Sequence, residues 1–555
     1  MKNTLILGTL ILLAAGCKKS SGGSDTPPPV VGDFTLTSAQ ANAITLTGDS
    51  YGVPASPAIT LHFSAPVNRS TVSSAVSLSA NGGTALPYTA SFAQSDSVVR
   101  ITPTQPLAYL SRYQLVASIS LKSAAGTVLR TNYTYSFLTS IDSSDKFPAI
   151  SDTALVEKLQ RQTFNYFWDG AHPVSKLARE RSSSGDIVTS GGSGFGVMAI
   201  IVAVNRGFIT RAEGLARLQT MVGFLKNTAQ KFHGAFPHWL NGQTGAVVPF
   251  STKDDGADLV ETSYLVQGLL CARQYFSGAD AAETSLRGDI NTIWQGVEWS
   301  WFRKNSENVL YWHWSPNYAW DMNMQIRGWN EALITYVLAA SSPGYSIPRA
   351  VYDNGWAQNG AIRNNNSYYG YTLPLGPALG GPLFFSHYSF LGINPNGLSD
   401  AYANYMTQVT NHTLINLAYV TANPKGYYGY SDQSWGLTAS DIPGGYSASS
   451  PTNDLGVIAP TAALSSFPYT PAASMKALRF FYYKLGDRLW GDYGPHDAFS
   501  LKDAWFADSY LAIDQGPIVV MVENYRTGLL WNLFTSCPEV KTGMRNLGFS
   551  APYLN

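Results

Sequence analysis

The chain has 555 residues, enough for two or three domains, and it carries 36 Lys and Arg against 36 Asp and Glu, a formal charge of zero. That balance excludes nucleic acid as an electrostatically held partner, because phosphate binding needs an excess of positive charge. Charged residues and aromatics are 13% each and hydrophobic residues 45%, which excludes a disordered chain and a multi-span membrane protein and leaves rings and uncharged polar groups to meet a neutral, polyhydroxylated ligand.

Met1-Lys2, an apolar run from Leu5 to Leu13, and then Ala14-Ala15-Gly16-Cys17 follow the order of a secretory signal. A cysteine directly after small residues resembles a bacterial lipoprotein signal, with residues 1–17 as the signal and Cys17 as the lipidated residue. A larger aliphatic residue is more usual where Ala14 stands, and the alternative is an ordinary signal peptide with an incidental cysteine. Residues 18–32, with their Ser and Gly run and Pro27-Pro28-Pro29, read as a flexible tether. The expected location is the cell envelope of a Gram-negative bacterium, periplasmic or on the outer surface, with the lipid as the only membrane contact. Cys271 and Cys537 sit in apolar stretches and read as buried hydrophobes, with no metal-ligand spacing. The apolar stretch from Ala507 to Trp531 is interrupted by Asp508, Asp514, Pro517, Glu523 and Arg526, which makes it a buried helix and not a membrane span.

Residues 33–141 alternate with a period of two in short runs, such as Ile59–Phe63, Ser97–Ile101, Tyr113–Val116 and Tyr133–Phe137. This predicts a small all-β sandwich. The run Leu61-His62-Phe63-Ser64-Ala65-Pro66-Val67, with Ile101-Thr102-Pro103 and Tyr135-Ser136-Phe137 after it, resembles a bacterial Ig-like domain, for which a spacer role is expected. A mostly polar stretch, 140–152, follows. Residues 152–552 then show helical spacing at Leu155 to Phe167, Val197 to Val204, Leu259 to Tyr275 and Glu331 to Ala340, with the longest loop-like stretch between Pro343 and Asn396. About a dozen helices in some 400 residues, separated by rich loops, predict an all-α toroid of helical hairpins.

The strongest local signal is Lys253-Asp254-Asp255-Gly256-Ala257-Asp258-Leu259-Val260-Glu261. On a helix, Asp254, Asp258 and Glu261 would share one face, with no Lys or Arg to offset them. A solvated face would carry cations there, so the three read as catalytic or binding acids. Glu331 and Asp514 are isolated inside apolar runs, where lost hydration raises a carboxyl pKa and suits a proton donor. Their structural alternatives are a pair with Arg327 and a helix cap, respectively. Glu523, with Arg526 three residues on, reads as a structural pair. Phe236-Pro237-His238-Trp239, Tyr311-Trp312-His313-Trp314 and Tyr318-Ala319-Trp320-Asp321 are aromatic clusters too polar for plain core and suited to stacking on sugar rings.

Six further motifs carry a family resemblance: Phe164–Asp169, Ala178–Ser182, Gly191–Gly196, Asp258–Ser263, Arg327–Ala332 and Ala512–Pro517. On these, the region from about 153 to 550 resembles the glucoamylase-like family of secreted bacterial enzymes, and within it glycoside hydrolase family 144, which degrades β-1,2-glucan. The family pattern often has Gly where this chain has Lys176, a difference expected to alter a loop. The resemblance implies an (α/α)6 toroid and anomer-inverting hydrolysis. It implies that Asp254, Asp258 and Glu261 line the cleft, that Glu331 is the general acid and that Asp514 is the base, with Asp508 as the fallback. The expected substrate-binding set is Arg181, His238, Trp239, Trp312, Trp314, Trp329 and Asp508. No cofactor and no metal are expected, and the partner is a neutral β-glucan or its oligosaccharides acted on by a monomer. The alternatives are a glycosidase of this fold acting on another neutral β-glucan, a polysaccharide lyase, and a non-catalytic glycan-binding lipoprotein.

Overall fold

A computed structural model describes residues 32–555. The signal, Cys17 and all of the tether but Gly32 lie outside the described residues. The chain separates into two compact units. One holds the residues up to Gly48 with Ser56–Gln105 and Gln114–Ser136, and the other holds Asp49–Ala55, Pro106–Tyr113 and Phe137–Asn555.

The nine N-terminal strands are β1 (Leu36–Ala41), β2 (Ile44–Thr45), β3 (Asp49–Val53), β4 (Ile59–Phe63), β5 (Val76–Ala80), β6 (Tyr88–Ala93), β7 (Val98–Pro103), β8 (Arg112–Ala117) and β9 (Tyr133–Thr139). They form a five-stranded sheet, order β2-β1-β4-β7-β6, and a four-stranded sheet, order β3-β9-β8-β5. In β4 the alternation puts Ile59, Leu61 and Phe63 inside and leaves Thr60 and His62 half-buried, as a pleated strand with one core face requires. A single short helix, α1 (Arg69–Ala75), is capped by Asn68, whose side chain accepts from the Ser70 N–H.

The helical unit runs as six outer–inner pairs in chain order. They are α2 (Asp152–Trp168) with α3 (Ser190–Asn205), α4 (Arg211–Asn227) with α5 (Leu259–Tyr275), and α6 (Ala281–Gln295) with α7 (Leu333–Ser341). The fourth is α8 (Arg349–Val351), continued by the π turn Tyr352–Trp356, with the 3-10 turns Leu383–Ser386 and Ser389–Leu391. The fifth is α9 (Tyr405–Ala422) with α10 (Pro460–Leu464), and the last is α11 (Pro471–Arg479), then α12 (Gly486–Leu489), with α13 (Ala512–Thr527). Helices α14 (Leu529–Thr535) and α15 (Pro538–Leu547) end the chain against α5 and α7. Outer helices such as α4 and α6 bury one stripe, whereas α3, α5, α7 and α10 are buried almost all round, the mark of an element enclosed by others. The inner elements close an (α/α)6 ring: α3 packs on α5, α5 on α7, α7 on Ser389–Leu391, α10 on α13, and α13 on α3. His387 and Tyr469 bridge the remaining step, through hydrogen bonds of the His387 Nε2 with the Ser466 hydroxyl (3.0 Å) and of the Tyr469 hydroxyl with the Ser386 carbonyl (2.8 Å).

Two local details differ from the sequence reading. Glu523 on α13 does not pair with Arg526. It is fully buried and receives Arg206 Nε at 2.7 Å and Nη2 at 3.0 Å, while Arg526 reaches Glu157 at 3.1 Å. The pair therefore ties α13 to the end of α3, which spacing along one helix cannot reveal. Lys176 holds a φ of 60°, the left-handed region that favours glycine, so the departure from the family pattern falls on a residue forced into a tight turn.

The α3–α5 crossing depends on two glycines. A Cβ at Gly194 would lie 2.2 Å from the Tyr264 carbonyl oxygen, and one at Gly268 would lie 2.1 Å from the Gly194 carbonyl oxygen. Both obstacles are backbone, so the helices would have to separate. Gly194→Ala is expected to cost about 1–3 kcal/mol of stability. Gly288→Ala on α6, where an added Cβ meets nothing within 4 Å, is expected to be neutral or stabilising by up to ~1 kcal/mol. Thermal denaturation of the two variants checks the contrast, and equal effects would contradict this packing.

Candidate active site

The acid-rich segment enters α5 through a strand and not as a helical face. Helix α5 begins at Leu259 because Asp258 caps it, its Oδ1 accepting the N–H groups of Val260 (3.0 Å) and Glu261 (2.9 Å). Asp258 belongs to β13 (Ala257–Asp258), and Asp254 lies in a turn bridged to Ser251. The expectation that Asp254, Asp258 and Glu261 stack along one helix is therefore corrected. A hairpin and a cap gather them, and they avoid the repulsion that helical stacking would impose.

Two histidines meet this cluster, His238 held protonated by it and His313 shifted by burial toward its neutral form. With β10 (Ile187–Thr189), β11 (Trp239–Asn241) and β12 (Val247–Val248) forming one small sheet, β13 pairs with β14 (His313–Trp314), and the register sets His313 opposite Asp258. His313 Nε2 lies 3.3 Å from Asp254 Oδ2 and 3.6 Å from Asp258 Oδ2. His238, just before β11, places Nδ1 3.0 Å from Asp258 Oδ2. Burial favours a protonated Asp258, but the His238 hydrogen bond and the two imidazoles outweigh it and hold the carboxyl below its ordinary range. Burial and the Asp258 charge push Asp254 up to about 7. Burial would lower His238, yet the charge of Glu261, with the hydrogen bond and charge of Asp258, raises it to about 9. His238, Asp254 and Asp258 each bring one ligand atom within 4.8 Å of the others and form the one donor set among the described residues able to hold a cation.

Glu261, in the first turn of α5, faces the start of α3. Its Oε2 accepts the Gly191 N–H at 2.9 Å and the Thr189 hydroxyl at 3.3 Å. A Cβ at Gly191 would sit 2.4 Å from that oxygen, which accounts for the glycine. Burial raises the Glu261 carboxyl.

Glu331 stands in the turn before α7 and is half-buried. Its carbonyl accepts the Ser389 hydroxyl, and the Tyr264 hydroxyl approaches it at 3.4 Å, so α5, α7 and the fourth inner turn meet at this residue. Arg327 donates instead to Gln325 and to the Asn354 carbonyl, which removes the structural pairing as an explanation of Glu331. Burial pushes the Glu331 carboxyl up to about 7, against a hydrogen bond from its own backbone and with help from the charges of Glu261 and Asp258.

Asp514 lies inside the first turn of α13 and caps nothing, since the N-cap is Leu511. Its carbonyl accepts the Thr461 hydroxyl of α10 at 2.8 Å. It is 3% exposed, and burial followed by the neighbouring Asp497 raises its carboxyl well above the ordinary value. Tyr388 joins the two isolated acids. Burial raises its hydroxyl well above the usual value, and the charges of Asp514, Tyr446, Glu331 and Glu261 add to that.

A cavity of about 610 Å³ is lined by Arg181, Asp441, Tyr446, Trp505, Phe506 and Asp508 among others. Arg181 is held from both sides, Nε 2.9 Å from Glu180 Oε2 and Nη1 3.0 Å from Asp441 Oδ1, so it brings no net positive charge to the cavity. Of the expected aromatic contacts, Trp239 packs at 4.8 Å on Phe250, which is half exposed and covers the His238 ring at 4.3 Å. Trp312 and Trp314 are partly buried, on or beside β14. Trp329 is corrected: it is 4% exposed and packs on Phe390 and Tyr405, so it is core and offers no face to a sugar.

Sequence reasoning missed Tyr388, Asp441 and Asp497, and took His313 only as part of an aromatic cluster. The rule that singled out Asp514, an acid isolated among apolar residues, reaches Asp497 in Pro495-His496-Asp497-Ala498-Phe499 as well. Asp441, on the short strand Ala439–Ile442, and Tyr388, in the turn between two 3-10 segments, carry no local signal.

The Glu331 value has a sign consequence for stability. Its folded-state pKa of about 7 exceeds the ordinary 4.5, so its contribution is complete below about pH 4.5 and is lost as the pH rises through 7. Glu331→Gln removes that loss. The melting temperature of the variant relative to the parent is expected to climb between about pH 5 and pH 8, and parallel melting profiles would contradict the burial of this carboxyl.

Comparison with known proteins follows the same lines. The Glycoamylase family model, described as "Putative glucoamylase", matches residues 323–538, and the bacterial Ig-like domain model matches residues 34–139. The exo β-1,2-glucooligosaccharide sophorohydrolase (non-reducing end) of Parabacteroides distasonis is 46% identical over 420 residues, 72% of this chain and 58% of that protein. The chain thus spans less than two thirds of the length of that curated relative. The endo-β-1,2-glucanase of Chitinophaga pinensis, solved with sophorotriose and glucose, is 54% identical with a TM-score of 0.72, covering 73% of this chain and 100% of its own. The β-1,2-glucanase structure from Parabacteroides distasonis is 38% identical with a TM-score of 0.70, over 94% of this chain and 74% of its own. This chain belongs to the glucoamylase-like family, in its glycoside hydrolase family 144 branch, with a bacterial Ig-like domain preceding the helical toroid.

Proposed function

We propose that this protein is a glycoside hydrolase that cleaves β-1,2-glucan or its oligosaccharides with inversion at the anomeric carbon, Glu331 acting as general acid and Asp514 as general base. The observation that carries the reading is that Glu331 and Asp514, at the starts of two different inner elements and each tied through its carbonyl to a neighbouring one, are both carboxyls raised by burial. An inverting hydrolase needs two carboxyl groups ~6.5–9.5 Å apart, one to protonate the leaving oxygen and one to activate a water on the far side of the sugar. At about 7, Glu331 holds a proton in neutral solution and releases it readily. Both carboxyls are desolvated, so burial alone does not separate acid from base. The choice of Asp514 as base rests on its motif, Ala512–Pro517.

The substrate class follows from the activities named for the relatives in Parabacteroides distasonis and Chitinophaga pinensis. The site chemistry agrees with it. A lyase acting on uronic acids would need cations facing the cleft, and Arg181 is already neutralised by Glu180 and Asp441. The same reading extends to location: lipid anchoring at Cys17 to the cell envelope is supported by the residue order at the N-terminus.

Glu331→Gln is expected to lower turnover of linear β-1,2-glucan about 10²–10⁴-fold, while oligosaccharide binding by calorimetry stays within about threefold. In the parent enzyme kcat is expected to fall as the pH rises through about 7, as Glu331 loses its proton. Retained turnover in the variant would remove Glu331 from the mechanism, and hydrolysis of starch or β-1,3-glucan in preference to β-1,2-glucan would overturn the substrate assignment.

A further inference from the structure

Asp497 belongs to no motif used above, yet it is 2% exposed, and its carboxyl group neighbours that of Asp514, which is 3% exposed. Asp497 Oδ2 accepts the Asp441 N–H at 2.7 Å. Its Oδ1, and Asp514 Oδ2, are buried and meet no N–H or hydroxyl donor among the described residues. Two carboxylates cannot hydrogen-bond to each other, because an ionised carboxylate only accepts. A proton on one of them would let it donate to the other and would satisfy both buried oxygens, which have no other donor among the described residues.

The groups facing this pair leave no other arrangement. Asp441 and Arg181 are the charged neighbours of both acids. Arg181 spends its guanidinium on Glu180 and Asp441 and donates to neither Asp497 nor Asp514. Asp441 adds negative charge. Tyr446 and Tyr388 feel the Asp514 charge but are neutral hydroxyls well below their own ionisation. Double ionisation would place two negative charges side by side in a buried site, where like charges repel most strongly.

We propose that Asp497 and Asp514 hold one proton between them, and that Asp497 is the positioning residue that fixes and tunes Asp514 for its part in the reaction. This rests on the reading of Asp514 as base. The pair works as a unit of charge minus one. When water attacks the anomeric carbon, the new C–O bond forms as the glycosidic C–O bond breaks. Glu331 gives its proton to the departing sugar oxygen, and the attacking water gives one proton to the pair, which becomes neutral. Solvent then returns a proton to Glu331 and takes one from the pair. A single proton shared between the two carboxyls also accounts for how an acid of raised proton affinity serves as a base: the pair loses its protons in two separated steps, and in the singly protonated state one carboxylate remains to accept a proton.

The test combines infrared spectroscopy with kinetics on the full chain. At about pH 9, above the values of about 7 for Glu331 and Asp254, and in a Glu261→Gln background that removes the other carboxyl raised by burial as well as in the parent, the protein is expected to keep a carboxylic-acid C=O band. That band is expected to vanish in both Asp497→Asn and Asp514→Asn. Asp497→Asn is also expected to lower kcat on β-1,2-glucan about 10- to 100-fold, with KM within about twofold, and Asp497→Glu to recover part of the loss. Absence of the band in the parent, or its survival in Asp497→Asn, would overturn the shared proton, and the parent measurement holds even where a variant fails to fold. Loss of the band in both variants with full turnover in Asp514→Asn would instead overturn the base assignment and leave the shared proton standing.

Discussion

The constraint on which this structure depends is the burial of carboxyl groups without cations. Among the described residues, no Lys or Arg forms an ion pair with Asp254, Asp258, Glu261, Glu331, Asp497 or Asp514. Negative charge is held instead by backbone N–H groups, by two imidazoles and by retained protons. Helix N-termini suit this task because their first N–H groups are unsatisfied and carry partial positive charge. Asp258 and Glu261 use the starts of α5 and α3 in this way. Glu331 and Asp514 lie at the starts of α7 and α13, where protonation is the remaining route to neutrality.

That arrangement requires the inner helices to lie close together. Gly194 and Gly268 let the backbones of α3 and α5 touch, Gly191 leaves room for the Glu261 carboxyl, and Gly516 of α13 would press an added Cβ to 2.4 Å from Phe195. The motifs Gly191–Gly196 and Ala512–Pro517 thus serve the spacing of the ring, and the chemistry follows from it. Each inner element contributes a group near its beginning. Thr189, Asp258, Glu331, Ser389, Thr461 and Asp514 are joined in pairs by hydrogen bonds or common neighbours.

Much of this was legible in the residues. The period of two in Ile59–Phe63 and the extent of Leu259–Tyr275 became β4 and α5 at the same bounds. The isolation of Glu331 and Asp514 in apolar runs marked carboxyls that the fold does withdraw from water. What local spacing could not show were partners distant in the chain. Arg206 and not Arg526 answers Glu523 across 317 residues, and Asp441 reaches Arg181 across 260. Trp329 looked like a sugar platform because a tryptophan beside an acid reads the same whether its ring faces a cleft or the core. Asp254 was expected on a helix because acids at four-residue spacing imply one, whereas a hairpin with a cap also gathers them.

The proposed reaction requires a β-1,2-glucan chain to bind between Glu331 and Asp514. The most direct measurement is a crystal structure of Glu331→Gln soaked with β-1,2-linked gluco-oligosaccharides. The account predicts one glycosidic oxygen within hydrogen-bond reach of residue 331, with Asp514 on the opposite face of the sugar and a water between. Glycan bound only away from both residues, or bound with Asp514 and residue 331 on the same side, would contradict it.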